Sequence, residues 1–185
     1  MKRKRSSAQR DDNDHVAWDA VITSPTGAIT VGIKTSGVYL DKTVYLQSST
    51  ELKEPDSSNK VAYEAARQLQ LYFSDSSHIF DFKKLLFNPS TGTSFQKRVW
   101  RAMTEIPTGQ VVTYGQMAKN IGCKSSQAVG QACGANSFAP LVPCHRVVAA
   151  SGIGGFANEA KEGFYRDTKI WLLRHEKVTA KDMGL

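Results

Sequence analysis

The chain has 185 residues, 41% of them hydrophobic, which is enough for one domain or two small ones with a real core. No apolar run approaches the span of a membrane helix, and Lys2-Arg3-Lys4-Arg5 runs into a polar stretch ending at Asp14, so neither a membrane partner nor a cleavable signal peptide is expected. The formal net charge is +7, and the three cysteines, Cys123, Cys133 and Cys144, are too few and too far apart for a zinc ribbon or a disulfide framework, which fits a reducing, intracellular setting.

Residues 1–15 read as a disordered basic arm, a nuclear address or an extra phosphate contact. From 16 to 46, polar and apolar residues alternate in three runs separated by Ser24-Pro25-Thr26-Gly27 and Thr35-Ser36-Gly37, which predicts a small antiparallel sheet. A polar loop then leads to a helix near 59–74 with Val61, Ala65, Leu69 and Tyr72 or Phe73 on its apolar face. This first half, 16–88, contains no catalytic constellation and reads as a scaffold. Thr93 or Ser94 opens a helix to about Ile106, which Pro107-Thr108-Gly109 ends. Val111 and Val112 form a short extended piece. Two short helices follow, near 115–121 and 126–134, joined by a turn containing Gly122 and capped by Ser125 or Ser126. The fold class is therefore α+β: a three-stranded antiparallel sheet with a helix, then a mainly helical domain over 89–185 with a helix-turn-helix.

Charge is unevenly placed. Residues 16–82 carry five basic and eight acidic side chains, whereas residues 83–185 carry fourteen and six. The basic second half, with no membrane signal, points to nucleic acid. Lys97, Arg98, Arg101, Lys119 and Lys124 are candidate phosphate contacts. The second helix of the pair offers only Gln127 and Gln131 as long polar side chains, so it lacks the arginines and asparagines of a base-reading helix. Its small residues, Ser126, Gly130 and Gly134, form a smooth face that fits either a narrow groove or a neighbouring backbone.

Chemistry concentrates in Val142-Pro143-Cys144-His145-Arg146-Val147-Val148, with Asn136 upstream. A free thiol is only about 3% thiolate at neutral pH, so a nucleophilic Cys144 needs a base or a positive field, and His145 and Arg146 are candidates for both. The alternative is a small buried apolar cysteine.

Pro143-Cys144-His145-Arg146-Val147-Val148, with Asn136 upstream, Tyr114 opening the helix pair and Trp171-Leu172-Leu173-Arg174-His175-Glu176 near the end, resembles the O6-alkylguanine-DNA alkyltransferase family. The resemblance is specific from about Thr93 to Glu176. It implies a single-turnover repair protein that flips O6-alkylguanine out of duplex DNA through the minor groove and takes its alkyl group irreversibly onto Cys144. By the same resemblance, His145 draws off the thiol proton, Glu176 orients His145, Asn136 braces the turn, and Tyr114 crowds the phosphate and donates its hydroxyl to the leaving base. The backbone of Cys144 and Val147 recognises the guanine, with Phe156 and Ala157 in the pocket loop. Thr93, Ser94, Gln96, Ser126, Gln127, Ala128, Gln131 and Arg146 touch DNA. No cofactor or metal is implied, and the partner is lesion-bearing duplex DNA met by a monomer, in a nucleus if the source has one and otherwise in cytoplasm.

Three departures stand out. Gln127 occupies the position where typical members insert an arginine into the gap left by the flipped base. The pocket loop reads Gly154-Gly155-Phe156-Ala157, where a tyrosine and a polar residue are common. The first half has no cysteine for the structural zinc of some members. Loss of the arginine leaves room for one rival, a non-catalytic alkyl-lesion binder that recruits other repair factors. A cysteine hydrolase built on Cys144 and His145 is a second, and it leaves the basic half unexplained.

Overall fold

The computed structural model describes residues 16–47, 50–154 and 163–184. Strands β1 (Ala20–Thr23), β2 (Thr30–Ser36) and β3 (Tyr39–Leu46) form an antiparallel sheet in chain order, with a bulge between Lys34 and Thr35. Alternation sorts the side chains. Ala20, Ile22, Val31, Ile33 and Tyr45 join the main core, while Val21 and Leu46 pack with Trp18 in a separate small cluster. The first strand starts later than its apolar run, because Trp18 belongs to that cluster and not to the strand.

Helix α1 (Lys60–Ser74) lies on the sheet, and Asn59 caps it by accepting a hydrogen bond from Ala62 N. Its buried stripe of Ala62, Ala65, Ala66, Leu69, Tyr72 and Phe73 puts alanines in the first turns, where small side chains permit close approach. Helix α2 (Ser94–Thr104) opens with a capping box: Thr93 accepts from Gln96 N while the Gln96 side chain accepts from Thr93 N. Ile106 falls beyond the helix end yet remains buried.

Strand β4 (Val112–Thr113) runs directly into α3 (Tyr114–Asn120), which has a second capping box between Thr113 and Gln116. Residues 121–125 connect α3 to α4 (Ser126–Gly134), which is capped by Ser125, and the two helices pack on each other. Trp100 Nε1 donates to Ala132 O at 2.8 Å, fixing α2 to α4. After a 3-10 turn at Cys144–Arg146, β5 (Val147–Val148) pairs in parallel with β4, a contact between segments far apart in sequence. Helices α5 (Phe164–His175) and α6 (Ala180–Met183) complete the described chain.

One apolar cluster runs from Ala20 through α1, α2 and α4 to Leu172, so the two halves share a core. Leu172 and Leu173 are fully buried, each stabilising the fold by about 2 kcal/mol, and they anchor the helix that ends at Glu176. Among the described residues, no helix is long and apolar enough to cross a membrane.

Candidate active site

The turn Cys144–Arg146 is the structural centre of the second half. All three residues are buried, His145 completely. Asn136 holds the approach to it, donating from Nδ2 to Val142 O at 2.7 Å and accepting from Phe138 N at 3.0 Å. Burial pushes the Cys144 thiol up, against the Asn136 side chain, the Lys169 ammonium and the N–H groups of Cys144 and His145, which pull it down. The resting group is therefore the thiol, and reaction requires a base.

His145, the expected base, is the next residue and is fully buried. Its Nε2 lies 2.8 Å from Glu176 Oε1. Against burial, which works to raise it, His145 and Arg146 hold the Glu176 carboxyl well below the usual carboxylate range. An ionised carboxylate has no proton to give, so Nε2–H is the donor and Nδ1 carries the basic lone pair. Nδ1 is buried and accepts no hydrogen bond from any described residue. Burial lowers the proton affinity of His145, with the Glu176 charge opposing, so the imidazole is neutral at pH 7 and ready to accept a proton.

Glu176 is heavily bonded. Oε1 accepts from His145, from Arg146 Nη2 at 2.9 Å and from the Tyr72 hydroxyl at 2.7 Å, while Oε2 accepts from Arg146 Nε at 3.0 Å and Gly109 N at 3.2 Å. Gly109 has φ +79, and a Cβ there would lie 3.0 Å from Glu176 O, so the turn after α2 needs glycine to reach the carboxylate. A cavity of about 480 Å³ opens behind this carboxylate, between His78, Phe80 and Phe82 on one side and Ile106, Pro143 and Arg146 on the other. Neither Cys144 nor Tyr114 lines it.

Tyr114, the first residue of α3, is half-buried, and burial followed by the Cys133 and Cys144 thiols raises its hydroxyl well above the usual phenol range. Such a hydroxyl keeps its proton and acts as a donor. Beside it lies Lys169, fully buried on α5, whose ammonium sits 5.9 Å from the Tyr114 ring and donates to Val147 O at 2.7 Å. Burial brings Lys169 down to about 8, with the Cys144 and Cys133 thiols opposing. The Val147 carbonyl expected to recognise guanine thus has one of its two acceptor positions occupied.

The family model described as the DNA-binding domain of 6-O-methylguanine DNA methyltransferase matches residues 94–178, the stretch from α2 to just past Glu176. A methylated-DNA–protein-cysteine methyltransferase of Methanosarcina acetivorans is 40% identical over 163 residues, which cover 85% of this chain and 96% of that protein. The chain belongs to the methylated-DNA–protein-cysteine methyltransferase family. The family member of Salmonella typhimurium is 41% identical over 107 residues, 57% of each chain. The crystal structure of Mycobacterium tuberculosis O6-methylguanine methyltransferase matches with a TM-score of 0.65 at 33% identity, covering 85% of this chain and 90% of that one. A crystal structure titled as the M. tuberculosis protein in complex with DNA matches at 0.63 and 34%, covering 85% and 91%.

Within this family member, the residues expected to meet DNA separate into three groups. Ser94, Ser126, Gln127 and Gln131 are exposed, and Ala128 is half-buried at the start of α4. Thr93 and Gln96 engage each other in the cap of α2. Arg146 departs from expectation. It is 5% exposed, and its guanidinium is committed to Glu176, to Ile106 O at 2.6 Å and to Thr108 Oγ1 at 3.0 Å, so it serves as the buried counter-charge of Glu176 and has no free face for a phosphate. Lys97, Arg98, Arg101, Lys119 and Lys124 are exposed on α2, α3 and the following turn. On α4 the inward face is Val129, Ala132 and Cys133, while Gly130 is half-buried near the Tyr114 ring. Phe156 and Ala157 lie outside the described residues.

Three contributors were missed by sequence reasoning. Lys169 sits three and four residues before Leu172 and Leu173, a lysine on a buried helical stripe, and that spacing was a usable signal. Gly109 was read only as a helix stop. Tyr72 was counted as an apolar residue, and nothing near it in sequence announces a partner 104 residues away.

Proposed function

We propose that this chain repairs duplex DNA by transferring the alkyl group of O6-alkylguanine to Cys144 once per molecule. The observation that carries the reading is the hydrogen bond from His145 to Glu176, which fixes the base-competent tautomer in the residue beside a buried thiol. His145 Nδ1 takes the thiol proton, through a water that spans the gap to the sulfur. The thiolate attacks the alkyl carbon, the S–C bond forms as the C–O6 bond breaks, and the electron pair leaves on guanine. Tyr114 donates a hydrogen bond to the departing base, and the proton lost from Cys144 ends on that base, so the proton count closes on neutral guanine. The product is a thioether, which water does not hydrolyse under physiological conditions, and turnover therefore ends at one.

Base extraction precedes this chemistry and costs a few kcal/mol, least for a damaged and poorly paired base, which provides lesion selectivity without sequence reading. The exposed basic side chains of α2 and α3 hold phosphates, the α3–α4 pair acts as a helix-turn-helix laid in the minor groove, and Gln127 fills the gap left by the flipped base. Val147 O recognises the guanine amino group. The protein works as a monomer, in the nucleus of a cell that has one and in the cytoplasm otherwise.

The deciding experiment is intact-protein mass after incubation with a duplex containing one O6-methylguanine. A gain equal to one CH2, saturating at one per molecule and absent from Cys144→Ala, is expected. Binding of the lesion with no change in mass would make this a non-catalytic lesion binder.

A further inference from the structure

Two buried tyrosines of the N-terminal half converge on the reaction centre. Tyr45 on β3 is buried, and Cys144, Tyr72 and Glu176 all bear on its hydroxyl electrostatically. Tyr72 on α1 makes the direct contact, its hydroxyl donating to Glu176 Oε1 at 2.7 Å, the same oxygen that receives His145 Nε2 at 2.8 Å. Tyr72 is fully buried and held on several sides. Its ring packs on Phe80 and His175, each at 5.2 Å between centroids, and its carbonyl oxygen lies 2.8 Å from His175 Nε2. A side chain locked in this way positions whatever it bonds.

From this geometry, and resting on the function proposed above, we infer that Tyr72 is a positioning residue of the alkyl-transfer reaction: it fixes Glu176 and draws charge from the oxygen that faces His145, so that α1 sets the basicity of the imidazole. A donor on Oε1 competes with His145 for the same negative charge. Removing it concentrates that charge on the imidazole, which then holds a proton more tightly and is less available as a base near neutral pH. The hydroxyl remains a donor, because burial and then the Glu176 charge raise it well above the usual phenol range.

Other groups around the pair do not replace this contact. Arg146, from the 3-10 turn, bonds both carboxylate oxygens and keeps Glu176 ionised whether or not Tyr72 is present. Lys169 on α5 and the Cys144 thiol bear on the site from the nucleophile side. His78, Glu105 and Lys177 line the cavity behind the carboxylate. Tyr72 is distinctive in joining the His145-facing oxygen to the N-terminal half by a direct hydrogen bond.

The test uses the full chain, comparing wild type, Tyr72→Phe and Asn59→Ala. Asn59 caps α1, donates from Nδ2 to Thr35 Oγ1 at 2.8 Å and does not touch Glu176, so its replacement weakens the packing of α1 without removing a bond to the carboxylate. Single-turnover methyl transfer is measured from pH 5.5 to 9, and the His145 titration is followed by NMR of protein carrying 13C-labelled histidine. In Tyr72→Phe, His145 is expected to titrate at higher pH, with the rate falling about tenfold on the acid side and little at pH 9. Asn59→Ala should leave both midpoints unchanged. Placing 3-fluorotyrosine at position 72, a stronger donor of similar size, should move the His145 titration the opposite way, and it serves if Tyr72→Phe does not fold. An unchanged His145 titration in these variants overturns the inference. Failure of wild type to transfer a methyl group would instead overturn the proposed function, since the titration needs no substrate.

Discussion

Side chains reach the Cys144–Arg146 turn from two directions, and the contributions differ in kind. From the second half come charges, Arg146 against Glu176 and Lys169 against Val147 O, with the neutral Asn136 amide on the approach to Cys144. From the first half come neutral groups at a distance in sequence. The Tyr72 hydroxyl meets Glu176, and Thr43 N donates to Ser137 O at 2.8 Å beside Asn136. Charge is balanced locally, while orientation is imposed from the sheet and helix on the other side of the shared core. A strong charge needs a partner close by in a low-dielectric interior, whereas a neutral hydrogen bond costs little to bring from afar.

That contrast is open to attack at several strengths. Cys144→Ala should abolish transfer outright, seen as a protein mass that never rises on lesion-bearing duplex. Next, Glu176→Gln leaves Arg146 buried without its counter-charge and should destabilise the chain by about 3–5 kcal/mol in urea unfolding, with single-turnover rate falling about a hundredfold or more. The same variant sharpens a pH prediction. Glu176 and His145 both have folded proton affinities below their unfolded ones, so each binds fewer protons when folded. Their contribution is complete above the unfolded values and should be lost as pH falls, first below about 6.5 for His145 and then below about 4.5 for Glu176. Urea midpoints across pH 3–8 should show this decline in wild type and a shallower one below pH 4.5 in Glu176→Gln.

On the exposed side of the same half, effects should be smaller. Gln127→Arg is expected to tighten duplex binding severalfold and to steepen its salt dependence by about one counterion, measured by fluorescence anisotropy over a salt series. Unchanged affinity and slope would remove α4 from the DNA-facing surface. Smallest of all, Asn59→Ala in the first half should cost about 1 kcal/mol in thermal or urea unfolding, while the rate per folded molecule stays at the wild-type value. A large rate loss there would break the division between neutral support and charged chemistry.

Periodicity made the sheet, α1, α2 and the α3–α4 pair legible, because each buries one face and the apolar spacing records it. The candidate nucleophile and base stand as neighbours in Cys144-His145, and the remaining expected roles came through resemblance. Tyr72 hid in the apolar stripe of α1 because burial selects its ring, while its hydroxyl is selected by a residue 104 positions away. Arg146 was expected on DNA by resemblance, and nothing near it in sequence announces its partner Glu176, 30 residues later. The pairing of β4 with β5 was equally hidden, because two residues are too few to show a period.

That short ladder has a topological consequence. Val112 pairs with Val147 and Thr113 with Val148, so everything between Tyr114 and Arg146 is a closed excursion whose two ends are clasped together. Tyr114 stands at one foot of the clasp and Cys144-His145 at the other. Changes in the length of the 121–125 connection at the far tip are absorbed within the excursion, and the separation between Tyr114 and Cys144 is set at its stem. Variation at that tip therefore leaves the stem, and with it the spacing of Tyr114 from Cys144-His145, in place.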